Sequence, residues 1–356
     1  MTSVEPCQRG GAGTWTGVVA VAALAFAACS GHARARRTFE FRGPTMGTTW
    51  SVKVVTGSEG LGGSVRAELD QAIRRELDRI NRLMSTWDPE SELSRFNRAP
   101  SLERFPVAPE TFEVFQWAQR LAGETGGALD VTVGSLVDAW GFGAAGDRGA
   151  PPNDEELVRL RAATGMEHLE LDPDGRWVQK RRPDVRCDFS ALAPGYAAER
   201  LAAMLERHGL SDFLVDVGGE FVARGSSDRN EPWHVAVEEP GAERRRVARR
   251  IIPLTNMALA TSGDYRNYRE VNGERLPHIL DPRTGHPVRH ALASVTVIDA
   301  TGVRADGLST ALMVLGPEDG MALAKRLDLS VLFIVRTPDG GFEERVSPRF
   351  EALARD

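Results

Sequence analysis

The stretch Ala291–Leu315 reads ALASVTVIDATGVRADGLSTALMVL. Ala291 to Ile298 is rich in small and β-branched residues and reads as a strand. Past Asp299 the period changes: Leu308, Ala311, Leu312 and Leu315 recur every three or four residues, the spacing of one helix face. A helix from Asp306 to Leu315 is therefore expected, with Asp306 as its N-cap and the carboxylate over the first-turn amides. Ser309 and Thr310 fall on that same turn. One carboxylate with hydroxyls at a helix start can hold a hard cation, because Mg²⁺ takes only one or two protein carboxylates. A plain N-cap has the same composition.

Working outward, helices and hairpins interleave. Phe39 to Val55 holds two strand-like runs, FEFR and TTWSVKVV, around a Gly-Pro-Thr-Met-Gly turn. Val65, Leu69, Ile73, Leu77, Ile80 and Met84 predict a helix, Thr86 to Asn97 a loop, and residues 109–124 a second amphipathic helix. Pro151 to Thr164 reads as a polar helix and Tyr196 to His208 as another. His168 to Arg182 reads as a hairpin turning at Asp172-Pro173-Asp174-Gly175. Phe213 to Val217, Trp233 to Val237 with Val247 to Pro253 returning beside it, and Val331 to Val335 read as strands. Hairpins mixed with helices favour an α+β layered fold with antiparallel or mixed sheets and flanking helices over a doubly wound parallel sheet. No strand-GxGxxG-helix unit occurs, which disfavours a Rossmann site.

The formal net charge of −6 gives no basic surplus, so nothing points to a nucleic-acid partner. The local run Arg244, Arg245, Arg246, Arg249, Arg250 reads as a solvated hairpin edge. Three cysteines, Cys7, Cys29 and Cys187, allow neither a disulfide framework nor a zinc spacing. Thr14 to Ala28, TWTGVVAVAALAFAA, is uncharged but short for a membrane span, and it fits a secretory h-region. Phe26-Ala27-Ala28-Cys29 resembles a bacterial lipobox, with Phe26 where Leu is usual. The expected organisation is a signal peptide over 1–28, a lipid-anchored tether over 29–38 beginning at Cys29, one domain over 39–340 and a tail over 341–356. This implies an exported, membrane-anchored lipoprotein facing the periplasm.

Four more segments carry chemical potential, and an ordinary structural residue, turn or strand-to-helix connection would have the same composition in each. His278 precedes the turn Asp281-Pro282-Arg283-Thr284-Gly285 and has the side chain of a general base. Ala260-Thr261-Ser262-Gly263-Asp264-Tyr265 pairs hydroxyls with a glycine, a phosphate cradle or an ordinary turn. Asp188 to Tyr196 runs into a helix start that suits an anion. Val217-Gly218-Gly219-Glu220 lets a backbone or a flat ring approach closely, and equally suits a turn.

Taken in order, these segments and the upstream runs Pro44-Thr45-Met46-Gly47-Thr48 and Ser91 to Asn97 resemble the ApbE family, the FAD:protein FMN transferases. The resemblance spans about residues 40 to 337, nearly all of the expected mature chain. It implies a layered ApbE-type fold with a nucleotide cleft between layers. It also implies Mg²⁺-dependent transfer of FMN from FAD to a Ser or Thr hydroxyl of a redox-complex subunit, with AMP leaving. Carried over residue by residue, Met46, Trp87, Ala128, Leu129, Asp130, Asp188 and Leu280 match flavin-nucleotide contacts. Ala191 matches a backbone-carbonyl metal ligand, Asp306 and Thr310 match metal-binding side chains with Ser309 at the position between them, and His278 matches the base.

The chain departs from the familiar pattern at Pro194, where a lysine usually stands. Proline brings neither charge nor N–H, which leaves Arg283 and Arg266 as the nearest basic substitutes in the motifs. Two other functions fit the same residues: an FAD pyrophosphatase using water as acceptor, and a flavin-binding lipoprotein without catalysis.

Overall fold

The computed structural model describes residues 36–146, 148–241, 247–265, 268–271 and 274–353, which fall in one unit. β1 (Arg37–Thr45) and β2 (Thr48–Thr56) form the expected hairpin, closed by Thr45 opposite Thr48. Met46 and Gly47 make the two-residue turn, at φ 47° and 70°; positive φ at both positions matches the twist of a tight hairpin. α1 (Gly63–Met84) buries Leu69, Ile73, Leu77, Ile80 and Met84, each burial contributing about 1.5–3 kcal/mol. Val65, expected on that stripe, stands in the first turn and stays exposed.

The second half of the segment expected as a loop over 86–97 is helical instead, in α2 (Glu92–Arg98). Ser91 Oγ accepts the Ser94 amide at 3.0 Å, and Glu92 accepts the Ala108 amide at the start of α3 (Pro109–Thr125), past the short β3 (Arg104–Pro106). Seven residues are too few to display a helical period. α3 ends on Gly126 in the left-handed region. Then follow α4 (Gly134–Ala139) and α5 (Asp154–Ala162). β4 (Leu169–Asp172) and β5 (Trp177–Lys180) form the expected second hairpin and join β3 in a three-stranded sheet.

α6 (Ala193–Arg207) leads to β6 (Phe213–Val217) and β7 (Glu220–Arg224), joined by a turn at Gly218 and Gly219. The turn reading of that glycine pair therefore holds. β8 (Trp233–Glu238) and β9 (Ala248–Leu254) pair as expected. β10 (Ala258–Gly263) shows that Thr261 and Ser262 lie on a strand rather than in a turn. Beyond it come the small hairpins β11 (Tyr268–Val271) with β12 (Glu274–Pro277) and β13 (Leu280–Asp281) with β14 (His286–Pro287). The chain closes with β15 (Leu292–Asp299), α7 (Gly302–Arg326), β16 (Ser330–Arg336), β17 (Phe342–Val346) and α8 (Pro348–Leu353).

Eight strands form the main sheet in the order β1-β2-β6-β7-β10-β15-β16-β17, and every neighbouring pair is antiparallel. β15 is buried almost end to end, the pattern of a strand covered on both faces. α6 and α7 lie on one face, with α1 and α3 packed over them. On the other face, Trp233, Val235 and Ile252 of the β8–β9 hairpin and Phe350 of α8 cluster with Leu332 and Ile334. This is the expected α+β layering.

Several boundaries shift. Residues 342–353, expected in a tail, supply an edge strand and a helix of the same layers. Arg37 and Thr38, expected in the tether, begin β1. α7 starts at Gly302 instead of Asp306, with Thr301 as its N-cap, and breaks at Gly316, φ 78°, before Pro317. Of the basic run, Arg249 pairs with Glu239 and Glu344, and Arg250 with Glu344; Arg244 to Arg246 lie outside the described residues, as do Cys7 and Cys29. Cys187 is a buried free thiol. No helix among the described residues is long and apolar enough to cross a membrane.

The first turns of α6 and α7 meet at two glycines. A Cβ on Gly195 would stand 2.4 Å from Gly302 O and 2.6 Å from Asp306 Cβ. Gly195→Ala is predicted to cost about 1–3 kcal/mol, as overpacking does, read as a lower urea midpoint at unchanged slope; an unaltered midpoint would contradict this packing.

Candidate active site

A cavity of about 620 Å³ opens where α7 and the end of β10 meet the loops after α3 and before α6. Trp87, Ala128, Leu129, Asp130, Asp188, Ala191, His278, Leu280 and Thr310 all line it. So the structure brings together side chains drawn from more than two hundred residues of chain. Trp87 is 67% exposed at the cavity mouth, an indole free to receive a flat ring. Phe142 and His278 meet edge to face at 6.4 Å across the wall, and His278 is half-buried.

The backbone around Ala128 to Thr132 is held by Asp130. Its Oδ1 accepts the Thr132 amide and hydroxyl at 2.8 and 2.6 Å, and its Oδ2 accepts the Met166 amide at 3.2 Å. Burial raises the Asp130 carboxyl above its ordinary pKa, against those bonds. Asp188 fixes the next wall: Oδ1 accepts the Ser190 amide at 2.7 Å, while the Asp188 amide donates to Val131 O. Both carboxylates therefore shape the loops that they stand on.

Asp306 does not cap its own helix. It lies in the second turn of α7, 5% exposed, and its Oδ2 accepts the Gly195 amide at 2.8 Å. Gly195 is the third residue of α6, whose own N-cap position, Leu192, offers no side-chain acceptor. Asp306 thus caps the neighbouring helix across the α6–α7 contact and sets a carboxylate at its positive end. The Ala191 carbonyl, just before α6, has no hydrogen-bond partner among the described residues. Asp306 and Thr310 are four apart on α7 and share a face. A buried carboxylate without a cationic partner among the described residues, a hydroxyl and an unused carbonyl make a hard-oxygen donor set.

These features match a known group of proteins. A family model described as "ApbE family" matches residues 46–333. The chain belongs to the ApbE family. An FAD:protein FMN transferase of Vibrio cholerae is 44% identical over 309 residues, 87% of this chain and 90% of the relative. One of Escherichia coli is 36% identical over 339 residues, covering 93% and 95%. Among solved structures, the flavin transferase ApbE from Vibrio cholerae aligns with TM-score 0.80 at 42% identity, covering 89% of this chain and 99% of that one. The apo flavinyl transferase ApbE of Pseudomonas stutzeri aligns with TM-score 0.81 at 38% identity, covering 89% and 97%.

Three residues expected at the ApbE-type site do not line the cavity: Met46, Asp306 and Ser309. Met46 occupies the β1–β2 turn and packs partly buried against the main core. Asp306 and Ser309 lie under the wall, one turn or less from Thr310. Arg283 is no substitute for the missing lysine, because Asp281 holds its guanidinium with two contacts of 2.9 Å; Arg266 lies outside the described residues. Pro194 sits in the first turn of α6, where a missing N–H costs no helical bond. Of the hydroxyls in Thr261-Ser262, Thr261 bonds Thr296 at 2.9 Å while Ser262 faces the cavity. Tyr268, Arg269 and Val314 also line it; sequence reasoning singled out none of them, since it made no reading of the β11–β12 hairpin and Val314 was one apolar position of the expected helix.

Burial pushes the Asp306 carboxyl up to about 8, with the Gly195 amide pulling the other way. The unfolded value is about 3.9. A raised folded pKa adds stability that is complete below the unfolded value and is lost as pH rises through the folded one. In chelator, the chain should therefore lose stability from about pH 4 to about pH 8, and Asp306→Asn should flatten that slope in urea midpoints taken across the range. An unchanged slope would contradict the assignment.

Proposed function

We propose that this chain transfers FMN from FAD to a Ser or Thr hydroxyl of a partner protein, a subunit of a redox complex, and releases AMP. The observation that carries the reading is one nucleotide-sized cavity lined by Ala191, Thr310, His278 and Trp87, with the Asp306 carboxylate buried under its wall on the Gly195 amide. The FAD:protein FMN transferase names of its relatives support the same reading. Asp306, Thr310 and Ala191 would hold Mg²⁺, which when bound supplies positive charge beside the pyrophosphate. Ser309 stands behind this set and supports it without facing the cavity.

Transfer between phosphates and hydroxyls needs positioning and charge neutralisation more than covalent help from the protein. Trp87 and Leu280, both lining the cavity, would hold the flavin nucleotide. The Ala128–Asp130 and Asp188 loops, rigid through their own hydrogen bonds, shape the wall against it. His278 would take the proton of the acceptor hydroxyl as oxygen attacks the FMN-side phosphorus and the bond to AMP breaks. Arg269 also lines the cavity, with its Nη1 donating to Trp140 O at 2.6 Å. The anchor belongs to the same proposal: export through 1–28 and lipidation at Cys29 would hold the domain at a membrane, facing the periplasm.

Incubating the chain with FAD, Mg²⁺ and candidate acceptor subunits should give in-gel covalent flavin fluorescence and free AMP. Asp306→Ala should lose both by more than a hundredfold. AMP without a fluorescent partner would identify a pyrophosphatase, and flavin binding without AMP would leave only a binder. Cys29→Ala should move the protein from the membrane fraction to the soluble periplasm; retention at the membrane would refute the anchor.

A further inference from the structure

Ser262 lies at the end of β10 and lines the cavity. Its Oγ is 2.8 Å from Ser309 Oγ and 3.2 Å from Thr310 Oγ1. Ser309 Oγ in turn donates to the Asp306 carbonyl at 2.8 Å. A hydroxyl has one proton, so the directions of these bonds can be counted. A carbonyl only accepts, so the Ser309 proton is spent on Asp306 O. Ser309 therefore accepts from Ser262, whose own proton is spent there. Ser262 must then accept from Thr310.

We propose that Ser262 is a positioning residue for the cation site: it draws the Thr310 proton away from the cavity and leaves the Thr310 lone pairs facing it. The relay runs Thr310 to Ser262 to Ser309 to the Asp306 backbone. A metal ligand of this kind depends on the groups that orient it. Ser309, buried and turned from the cavity, acts as the proton's destination rather than as a ligand. Ser309 and Asp306 are buried, so no water competes for the Ser309 hydroxyl and its bond to the Asp306 carbonyl keeps its direction. This rests on the metal reading given under the proposed function.

The test titrates Mg²⁺ alone into the full chain, without FAD or acceptor, by calorimetry, and reads the thermal midpoint with and without Mg²⁺. Ser262→Ala should weaken Mg²⁺ binding by about 10- to 100-fold and shrink the Mg²⁺-induced rise in midpoint, with little change in the cation-free midpoint. Ser262→Thr keeps the hydroxyl and should restore binding to near the unsubstituted value. Ser309→Ala should also weaken Mg²⁺, although Ser309 does not face the cavity, because Ser262 is then free to donate to Thr310 and turn the Thr310 proton outward. Undiminished Mg²⁺ binding in Ser262→Ala, or equal losses in the Ala and Thr variants, would overturn the relay while leaving the metal site standing. Absence of Mg²⁺ binding to the unsubstituted chain would remove the metal reading and the relay with it.

Discussion

The hydrogen bond from the Gly195 amide to the Asp306 carboxylate ties the structure together. It joins the start of α6 to the second turn of α7 at a crossing so close that both Gly195 and Gly302 exclude a side chain. The carboxylate takes the place of an N-cap that α6 lacks in its own sequence. Because α6 and α7 both lie on the main sheet, this one contact fixes where Ala191, Thr310 and the end of β10 stand relative to each other. The cavity wall inherits its geometry from a helix crossing.

A single buried carboxylate is costly unless something neutralises it. Asp306 has one amide donor and no ion-pair partner among the described residues, and burial drives its carboxyl toward protonation. A bound divalent cation would reverse that drive. The same group thus serves the fold when protonated and the proposed chemistry when ionised. The hydroxyls around it, Ser309, Ser262 and Thr310, form a directed chain and add no further charge. Electrostatic strain at this point is consistent with a site that works only when loaded.

Much of this was legible in the sequence where the period was long enough. α1, α3, α6, the β1–β2 hairpin and the β8–β9 pair all announced themselves through spacing. α2 did not, since its seven residues rest on a cap and on tertiary packing of Leu93 and Phe96. The start of α7 was misplaced because Asp306 is a strong capping residue, and only the fold reveals which helix it caps. Trp87, His278 and Thr310 were singled out through the family resemblance, and the structure places all three along one cavity. Ser262 could not be told from Thr261 until strand alternation turned one into the cavity and the other onto Thr296. Arg283 looked available as a charge, but an Asp two residues earlier already holds it.

We propose that the α6–α7 crossing builds a cation site. Anomalous diffraction from crystals soaked in Mn²⁺ and FAD tests it most directly. One strong peak is expected within coordination distance of the Asp306 carboxylate, Thr310 Oγ1 and the Ala191 carbonyl. A peak elsewhere in the cavity, or none, would contradict it.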